Sequence, residues 1–411
     1  MAKAEPLAIQ RASEGLREGI ALYVHIPFCE TKCPYCDFNT YAGIRHLLPA
    51  YLGALCTEVS LWGSHLGQPR VNTVFLGGGT PSLLTPEELA RVMEVIHGSF
   101  SIAGDAEVTV ECNPDDLSVD RVRAYLRHGV NRVSIGVQSL DDRLLHLLGR
   151  RHSAARAVEA YWMVREAGMA NVNLDLMYSL PQQTMEQWQA TLGKALELSP
   201  EHLSLYCLTV EEGTPLARWV KDGSVPDPDP DLAADMYLWA HERLAGAGYG
   251  HYEISNWARR GFESRHNLTY WRNMPYLGVG PGAHSYLLGR RFSNLASPAE
   301  YIKRVGDWMA AKQGSSMSTV PAPGAGPVED VEEIGPDLAM AETMMLGLRL
   351  AEGISLHSFK ERFGLDITQT YRALIEELAT VGLLELVAGY LRLTDRGRIL
   401  GNEVFSRFII T

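Results

Sequence analysis

The 411-residue sequence lacks long apolar runs, a leader-like N-terminus and an excess of basic charge. No stretch approaches the roughly 20 apolar residues that span a bilayer, so we expect no membrane-spanning helix. The N-terminal segment MAKAEPLAIQRASEGLREGI has no continuous apolar core and no small-residue cleavage site, unlike a signal peptide. The net charge of −12 argues against a basic nucleic-acid-binding face. We therefore expect a cytoplasmic protein that binds no nucleic acid.

Cysteine is also scarce, with six residues in the whole chain. Three of them lie in the segment YVHIPFCETKCPYCDFN, at positions 29, 33 and 36, and the position two residues after the third holds Phe38. In a reducing compartment, such a tight group of thiols more often binds metal than forms disulfides. The other three lie in apolar or strand-like segments, and we expect them in the core: Cys56, Cys112 and Cys207.

From residue 21 onward, short β-rich runs alternate six times with segments of helical period. The runs are ALYVHI, VNTVFLGGG, AEVTVECNP, NRVSIGVQS, NVNLDLMYSLP and HLSLYCLT. This alternation is typical of parallel βαβ units and predicts an α/β fold, a partial (β/α)6 barrel. A flat doubly wound sheet stays open as the alternative, because periodicity alone does not close a barrel.

Composition divides the rest of the chain. We expect an N-terminal tail at 1–20, the barrel at 21–250, a barrel extension at 251–313 and a linker at 314–335, which is rich in Pro, Gly and Ser and then acidic. Residues 336–411 predict three helices, a strand pair and a last helix, which together indicate a small winged-helix-like domain. This domain has no strong basic stripe, which disfavours a DNA-binding regulator.

Unusual residues follow the predicted strands at their carboxyl ends, where active sites of parallel α/β folds lie. The spacing Cys-x3-Cys-x2-Cys lets one tight loop present three thiolates to three corners of an iron–sulfur cubane, leaving the fourth iron open. Zinc is the alternative, and its fourth ligand would be Asp37 or His25.

The loop CETKCPYC resembles the signature of radical S-adenosylmethionine (SAM) enzymes, including the aromatic Tyr35 before the last cysteine. The resemblance implies that Cys29, Cys33 and Cys36 ligate a 4Fe-4S cluster, whose open iron SAM chelates. The run LGGGTPSLL, one strand later, resembles the glycine-rich SAM motif and implies SAM contacts at Gly78, Gly79 and Thr80.

Other residues match the subfamily of oxygen-independent coproporphyrinogen III oxidases and their relatives, over roughly residues 22–409. This resemblance implies that Glu111, Gln138 and Asp175 contact the amino-acid or ribose part of SAM. It implies a charge-assisted pair between Arg150 and the SAM carboxylate, and a further SAM contact at Tyr23.

Three features favour the haem chaperones of this subfamily over the oxidases. The oxidases carry a fourth cysteine where this chain has Phe38, and they carry a longer N-terminal extension. The segment HNLTYW fits a His-Asn-x-x-Tyr-Trp motif associated with the chaperones, which implies that His266, Tyr270 and Trp271 take part in haem binding. His284, in GVGPGAHS, is a second candidate ligand, although a structural role for both histidines stays open.

We therefore predict a haem chaperone that binds haem as cargo, a 4Fe-4S cluster and SAM. Its partners would be apo-haemoprotein clients such as b-type cytochromes at the inner membrane, which it would reach as a peripheral protein, and a homodimer stays open. The alternative is oxidative decarboxylation of coproporphyrinogen III in porphyrin biosynthesis.

Overall fold

The computed structural model describes residues 18–311 and 322–409. In chain order its strands are Ile20–Ile26 (β1), Phe28–Cys29 (β2), Tyr41–Ala42 (β3), Arg70–Gly78 (β4), Ser101–Cys112 (β5), Arg132–Gln138 (β6), Val172–Tyr178 (β7), His202–Cys207 (β8), Gly250–Glu253 (β9), Asn256–Ala258 (β10), Tyr276–Val279 (β11), His284–Leu287 (β12), Arg290–Asn294 (β13), Val328–Glu333 (β14), Ile354–Ser355 (β15), Leu384–Val387 (β16) and Tyr390–Leu393 (β17). The predictions for residues 1–17, 312–321 and 410–411 lie outside the described residues.

Twelve of these strands form one mixed sheet, in the order β14-β13-β12-β11-β1-β4-β5-β6-β7-β8-β10-β9. The six parallel strands predicted from the sequence, β1 and β4–β8, are confirmed as consecutive neighbours. A seventh parallel strand, β11, pairs with β1 and was not predicted. Within the described residues the two edge strands of this sheet, β14 and β9, do not pair with each other, so the sheet is an open, partial barrel.

Helices cover the sheet between its strands. They are Leu48–His65 (α1), Pro86–Ser99 (α2), Val119–Arg127 (α3), Asp142–Leu147 (α4), Ala154–Glu166 (α5), Met185–Leu198 (α6), Pro215–Lys221 (α7), Pro230–Gly246 (α8), Arg265–Trp271 (α9) and Pro298–Ala311 (α10). Local sequence fixes where they begin: Thr85 and Thr184 form capping boxes with Glu88 and Gln187. Their apolar faces and the strands share one core, which includes Trp62, Trp188 and Trp257.

One prediction about the segment after residue 250 needs correction. The sheet continues past that residue through β9–β13, in the segment predicted as a barrel extension. The linker prediction is wrong for Val328–Glu333, which pairs antiparallel with β13 from Asn294↔Val328 to Arg290↔Glu333. An acidic strand at an edge presents its charges to water, so its composition resembles that of a linker.

The C-terminal region has a second hydrophobic core, built from side chains between residues 340 and 408. It contains helices Pro336–Gly347 (α11), Leu356–Phe363 (α12), Ile367–Thr370 (α13), Arg372–Thr380 (α14), Asp395–Ile399 (α15) and Gly401–Ile409 (α16), with the antiparallel sheet β15-β17-β16. The hairpin β16–β17 supplies the predicted wing. The domain boundaries themselves stay predictions from the sequence.

The parallel topology separates the two ends of the barrel. The strands β1 and β4–β8 end together at one rim, at residues 26, 78, 112, 138, 178 and 207. Helix α9 lies against the strands nearer the opposite end, where its first backbone amides reach Glu107. Among residues 18–311 and 322–409 no helix is both long and apolar enough to cross a bilayer.

Candidate active site at the carboxyl ends of the strands

A cavity of about 380 Å³ opens at the carboxyl rim, and all three clustered cysteines line it. Cys29 ends β2, and Cys33 and Cys36 lie on the loop between β2 and β3, whose base is closed by the parallel pairs Phe28↔Tyr41 and Cys29↔Ala42. The Thr80 hydroxyl donates to the Cys29 sulfur at 3.4 Å. Cys36 lies 3.8 Å from the Thr40 hydroxyl. The tertiary structure therefore turns three thiols of one short loop toward one space.

The tip of this loop is held by backbone contacts with two other elements. The amide of Leu216, in α7, donates to the Pro34 carbonyl at 2.9 Å. Gly149 lies so close to Pro34 that a β-carbon there would come within 2.7 Å of its ring. Because Gly149 also has a positive φ of 64°, this position requires glycine on two grounds.

The residues present fit an iron–sulfur cluster better than a single zinc ion. Within the described parts of the chain, no three His, Cys, Asp or Glu side chains converge closely enough to hold one metal ion. His25 is also engaged at both ring nitrogens, with Tyr23 and with the Asn39 carbonyl, each at 2.9 Å. Burial raises the pKa of Cys29 and Cys36, and the hydroxyls near them oppose this. Binding iron would therefore require these thiols to lose protons.

The glycine run after β4 forms a second wall of the cavity. Gly78 and Gly79 line it with Thr80, and the φ of Gly78 is 106°. A β-carbon on Gly78 would lie 2.4 Å from His25, and one on Gly79 would lie 2.6 Å from the Phe28 carbonyl. These glycines therefore let the run pack against the base of the cysteine loop while its backbone faces the cavity.

Arg150 and Gln138 form a third wall of the cavity, and their side chains lie next to Gly136. The guanidinium donates to the Gly136 carbonyl at 2.7 Å and lies 3.8 Å from the Cys33 sulfur. A β-carbon on Gly136 would come within 3.2 Å of both side chains. Gln138 has a positive φ of 64° at an irregularity between β6 and β7, which is an unusual backbone for a residue with a side chain.

Two carboxylates, Glu111 and Asp175, line the same cavity. Burial and the neighbouring Asp175 raise the pKa of Glu111 to about 7, although its oxygen accepts from the Gly78 amide at 3.0 Å. Burial also raises the pKa of Asp175, which accepts from Ser134 and Asn173 at 2.8 Å each. Arg132 is buried in the same interior and lowers both values. The pair therefore offers one carboxylate that titrates near neutral pH.

The two tyrosines of the sequence prediction occupy different positions. Tyr35 lines the cavity between the cysteines, and burial raises its pKa. Tyr23 is not among the residues that line the cavity. Its ring stacks on Phe75 and its hydroxyl pairs with His25, so it supports the cavity from beneath.

The His-Asn-x-x-Tyr-Trp segment forms helix α9, away from the cavity. His266 is 1% exposed, and its ring nitrogens lie 2.8 Å from the hydroxyls of Thr73 and Tyr270. Its ring also stacks on Phe75 at 5.0 Å. With both nitrogens paired and no exposed face, His266 has the environment of a structural histidine, which is the role that the sequence analysis left open beside haem binding.

The other members of the segment also make packing contacts. Tyr270 packs edge-on against Tyr276. The Arg349 guanidinium lies 4.5 Å from the Trp271 ring centre, so Trp271 joins α9 to the C-terminal region. His284, the second candidate ligand, is exposed at the start of β12.

The prediction that all three remaining cysteines lie in the core is wrong for Cys207. Cys56 and Cys112 are buried, but Cys207 is exposed and lines the cavity at the end of β8. Sequence reasoning also missed other lining residues, which include Thr40, Asn113, Ser134, Met177 and Tyr206. For Asn113, Met177 and Tyr206, the position at the carboxyl end of a strand was the available signal. Phe38 lies at the rim with 65% of its surface exposed.

Comparison with known proteins places this geometry in a family. Residues 23–195 match the model of the radical SAM superfamily, and residues 335–400 match the HemN C-terminal domain. The chain is 37% identical to the "Heme chaperone HemW" of Bacillus subtilis over 94% of this chain and 98% of that protein. The chain belongs to the HemW family of radical SAM proteins.

Two further likenesses extend over most of the chain. The mitochondrial "Radical S-adenosyl methionine domain-containing protein 1" of mouse is 40% identical over 89% of this chain and 82% of that protein. The solved coproporphyrinogen III oxidase (HemN) of Escherichia coli shares the fold, with a TM-score of 0.81, 23% identity and coverage of 97% of this chain and 93% of that one. The radical SAM family implies a 4Fe-4S cluster and SAM.

Proposed function

We propose that this protein is a haem chaperone that binds haem, holds a 4Fe-4S cluster and SAM, and delivers haem to apo-haemoproteins such as b-type cytochromes at a membrane. The observation that carries the proposal is full-length likeness to proteins named heme chaperone HemW, at 37% identity across 94% of the chain. Phe38 adds to it, because the oxidase motif has a thiol at this exposed rim position.

The cavity residues take separate roles in this proposal. Cys29, Cys33 and Cys36 hold the cluster, which supplies an open iron for SAM and, when reduced, an electron. Arg150 has its guanidinium between Cys33 and the Gly136 carbonyl, so it is placed to pair with a carboxylate beside the cluster.

The other walls would hold the remainder of SAM. The backbone carbonyls of the glycine run, with Thr80, suit the ammonium of its methionine part. The Gly78 and Gly79 amides already donate to Glu111 and to the Ile26 carbonyl. The remaining contacts fall to Glu111, Gln138, Asp175 and Tyr35, while Tyr23 acts through His25 rather than by touching SAM.

The haem ligand is proposed among accessible side chains. His284 is exposed, whereas His266 would have to break two hydrogen bonds and leave the barrel interior to reach iron. We therefore assign direct ligation to His284 and a structural role to the segment that contains His266, Tyr270 and Trp271.

The test is a haemin titration of the anaerobically reconstituted protein, followed by visible absorption. We expect saturable binding near one haem per chain, weakened in His284→Ala and retained by the folded fraction of His266→Ala. Saturable haem binding that is unchanged in His284→Ala would support the chaperone function and would show that another residue ligates the haem iron. The absence of saturable binding, together with turnover of coproporphyrinogen III in the presence of SAM and a reductant, would replace the proposal with the oxidase activity.

A further inference from the structure

The part of the cysteine loop that follows Cys36 has little packing of its own. Asp37 and Phe38 are exposed, and the first residue after them with contacts to a distant part of the chain is Asn39. The side-chain nitrogen Nδ2 of Asn39 donates to two backbone carbonyls, those of Pro281 and Ala296, at 3.0 Å each. The Tyr41 hydroxyl donates to its side-chain oxygen at 2.9 Å. Asn39 thus ties this part of the loop to the segment between β11 and α10.

The receiving segment is the turn of residues 280–282, within GVGPGAHS, and it is fixed by a buried carboxylate. Glu58, in α1, is 0% exposed and accepts from the Gly280 amide at 2.8 Å and from the Asn294 amide at 2.7 Å. The Tyr301 hydroxyl also donates to it. Asn294 in turn donates to the Gly280 carbonyl at 3.0 Å. A buried carboxylate with this many donors makes the turn rigid.

The two glycines of the turn touch both sides of the cysteine loop. Gly280, with a φ of 97°, lies so close to His25, before the loop, that a β-carbon there would come within 2.5 Å of its carbonyl oxygen. Gly282, with a φ of 73°, would place a β-carbon 2.4 Å from the Asn39 amide, after the loop. Both close approaches need glycine.

We propose that the turn of residues 280–282, anchored by Glu58, clamps the cysteine loop through Asn39 and so holds the three thiols in place before the cluster binds. Asn39 and Glu58 are positioning residues in this arrangement. The inference rests on the proposed role of Cys29, Cys33 and Cys36 as cluster ligands. It also gives the barrel extension a task, which is to support the loop.

The physical reason is the entropy of a short loop. Its base has only two pairs of β-bridged residues, and ordering each free residue costs conformational entropy that cluster binding would otherwise have to supply. Contacts at Pro34 fix the tip, and the bonds from Lys32 and Thr40 to the Phe38 carbonyl stay within the loop region. The Asn39 carbonyl meets His25 before the loop, and the Asn39 side chain is what ties residues 37–39 to the turn of residues 280–282.

The test uses the full-length, cluster-free protein and needs no turnover. Asn39→Ala is compared with wild type by mass-spectrometric alkylation rates of Cys29, Cys33 and Cys36, each divided by the rate of Cys207, an exposed cavity thiol outside the loop. Asn39→Ala removes three hydrogen bonds, to Pro281, Ala296 and Tyr41. We expect the loop-to-Cys207 ratio to rise at least about threefold to tenfold, which is the size of a single hydrogen bond in an opening equilibrium. The matched control is Asn72→Ala, whose amide makes a bond of the same length to the Glu18 carbonyl.

A milder variant covers the case in which Asn39→Ala does not fold. Tyr41→Phe removes the hydroxyl that donates to Asn39 and Ala296, and we expect a smaller rise in the same ratio. The clamp would be overturned if the loop-to-Cys207 alkylation ratios were unchanged in every folded loop variant. It would also be overturned if Asn72→Ala raised these ratios as much as Asn39→Ala does. After cluster reconstitution and chemical reduction, the loop variants should also give broader cluster EPR signals than the wild type. Failure of wild type to hold a cluster would defeat the proposed function, whereas the alkylation ratios would still decide the clamp.

Discussion

The two ends of the barrel both present a histidine beside a tyrosine, yet the structure uses them differently. At the carboxyl rim, His25 and Tyr23 lie under a cavity into which thiols, a guanidinium and carboxylates point. At the opposite end, His266 and Tyr270 fill the interior, and each ring nitrogen of His266 has a protein partner. His25 has both ring nitrogens paired, just as His266 does. The comparison teaches that a histidine beside a tyrosine does not by itself indicate chemistry, and that the cavity lined by other polar side chains marks the candidate site.

The strongest way to break this comparison is to remove the thiols at the rim. Replacing Cys29, Cys33 and Cys36 together by Ala should abolish the iron and sulfide content of anaerobically reconstituted protein, because no other cluster ligand is placed on this loop. The fold should survive, since these side chains are only partly buried. Cys207→Ala is the matched control and should retain iron. A cluster that survives the triple change would contradict the site.

At the other end, His266→Ala should lower the free energy of unfolding by about 3–5 kcal/mol, because it leaves the Thr73 and Tyr270 hydroxyls unpaired and opens a cavity. Urea unfolding would measure the change, and the iron content of the folded fraction should match wild type. His284→Ala, at an exposed position, should stay within about 0.5 kcal/mol. Equal stabilities of the two variants would mean that His266 is not structural.

The charge state of Glu111 gives a second property in which the carboxyl rim should differ from the opposite end of the barrel. Its pKa is raised to about 7 from an ordinary 4.5, so the folded state holds a proton that the unfolded state has lost between these pH values. Stability from this group is therefore present below pH 4.5 and is lost as pH rises through 7, by up to roughly 3 kcal/mol. Between pH 4.5 and pH 7, the free energy of unfolding measured by urea titration should fall less for Glu111→Gln than for wild type. If it falls equally in both proteins, the raised pKa of Glu111 is contradicted.

The smallest expected effect is a difference in SAM affinity between variants of two neighbouring arginines, Arg150 and Arg151. Arg150→Ala should weaken SAM binding about tenfold to a hundredfold, the size of a hydrogen bond to a charged group, without loss of iron. Arg151→Ala should change it less, because Arg151 already pairs with Asp116 at 3.0 Å. Isothermal titration of the reconstituted variants would measure both. Equal losses in the two variants would remove Arg150 from its special role.

Much of the barrel was predictable because parallel strands buried on both faces produce continuous apolar runs between helix-period segments. The six predicted strands illustrate this. Strand β11 escaped prediction because Tyr276–Val279 is only four residues long and is recognisable as parallel only through its pairing with β1. Val328–Glu333 escaped because its acidic residues are those of an edge strand, which local composition does not distinguish from a linker.

The candidate site divides in the same way. Cysteine spacing on one loop is a local property, so the sequence alone predicted a site at Cys29, Cys33 and Cys36. Glu111 and Gln138 lie at strand ends as expected, whereas Asp175 lies in the middle of β7 and still lines the cavity. The exposure of Cys207 and the burial of His266 depend on neighbours distant in sequence. A thiol at the end of β8 faces the cavity, and an imidazole on α9 meets Thr73 of β4.

The sequence by itself determined the six alternating strands and helices of the barrel, the spacing of the thiols on the cysteine loop and the family resemblance, because these depend on residue type and position along the chain. Only the tertiary structure decided which polar groups line the cavity, which are buried with protein partners, and that Asn39 meets a turn more than 240 residues away. Partner, burial and distance arise from packing between remote segments, and no local pattern encodes them.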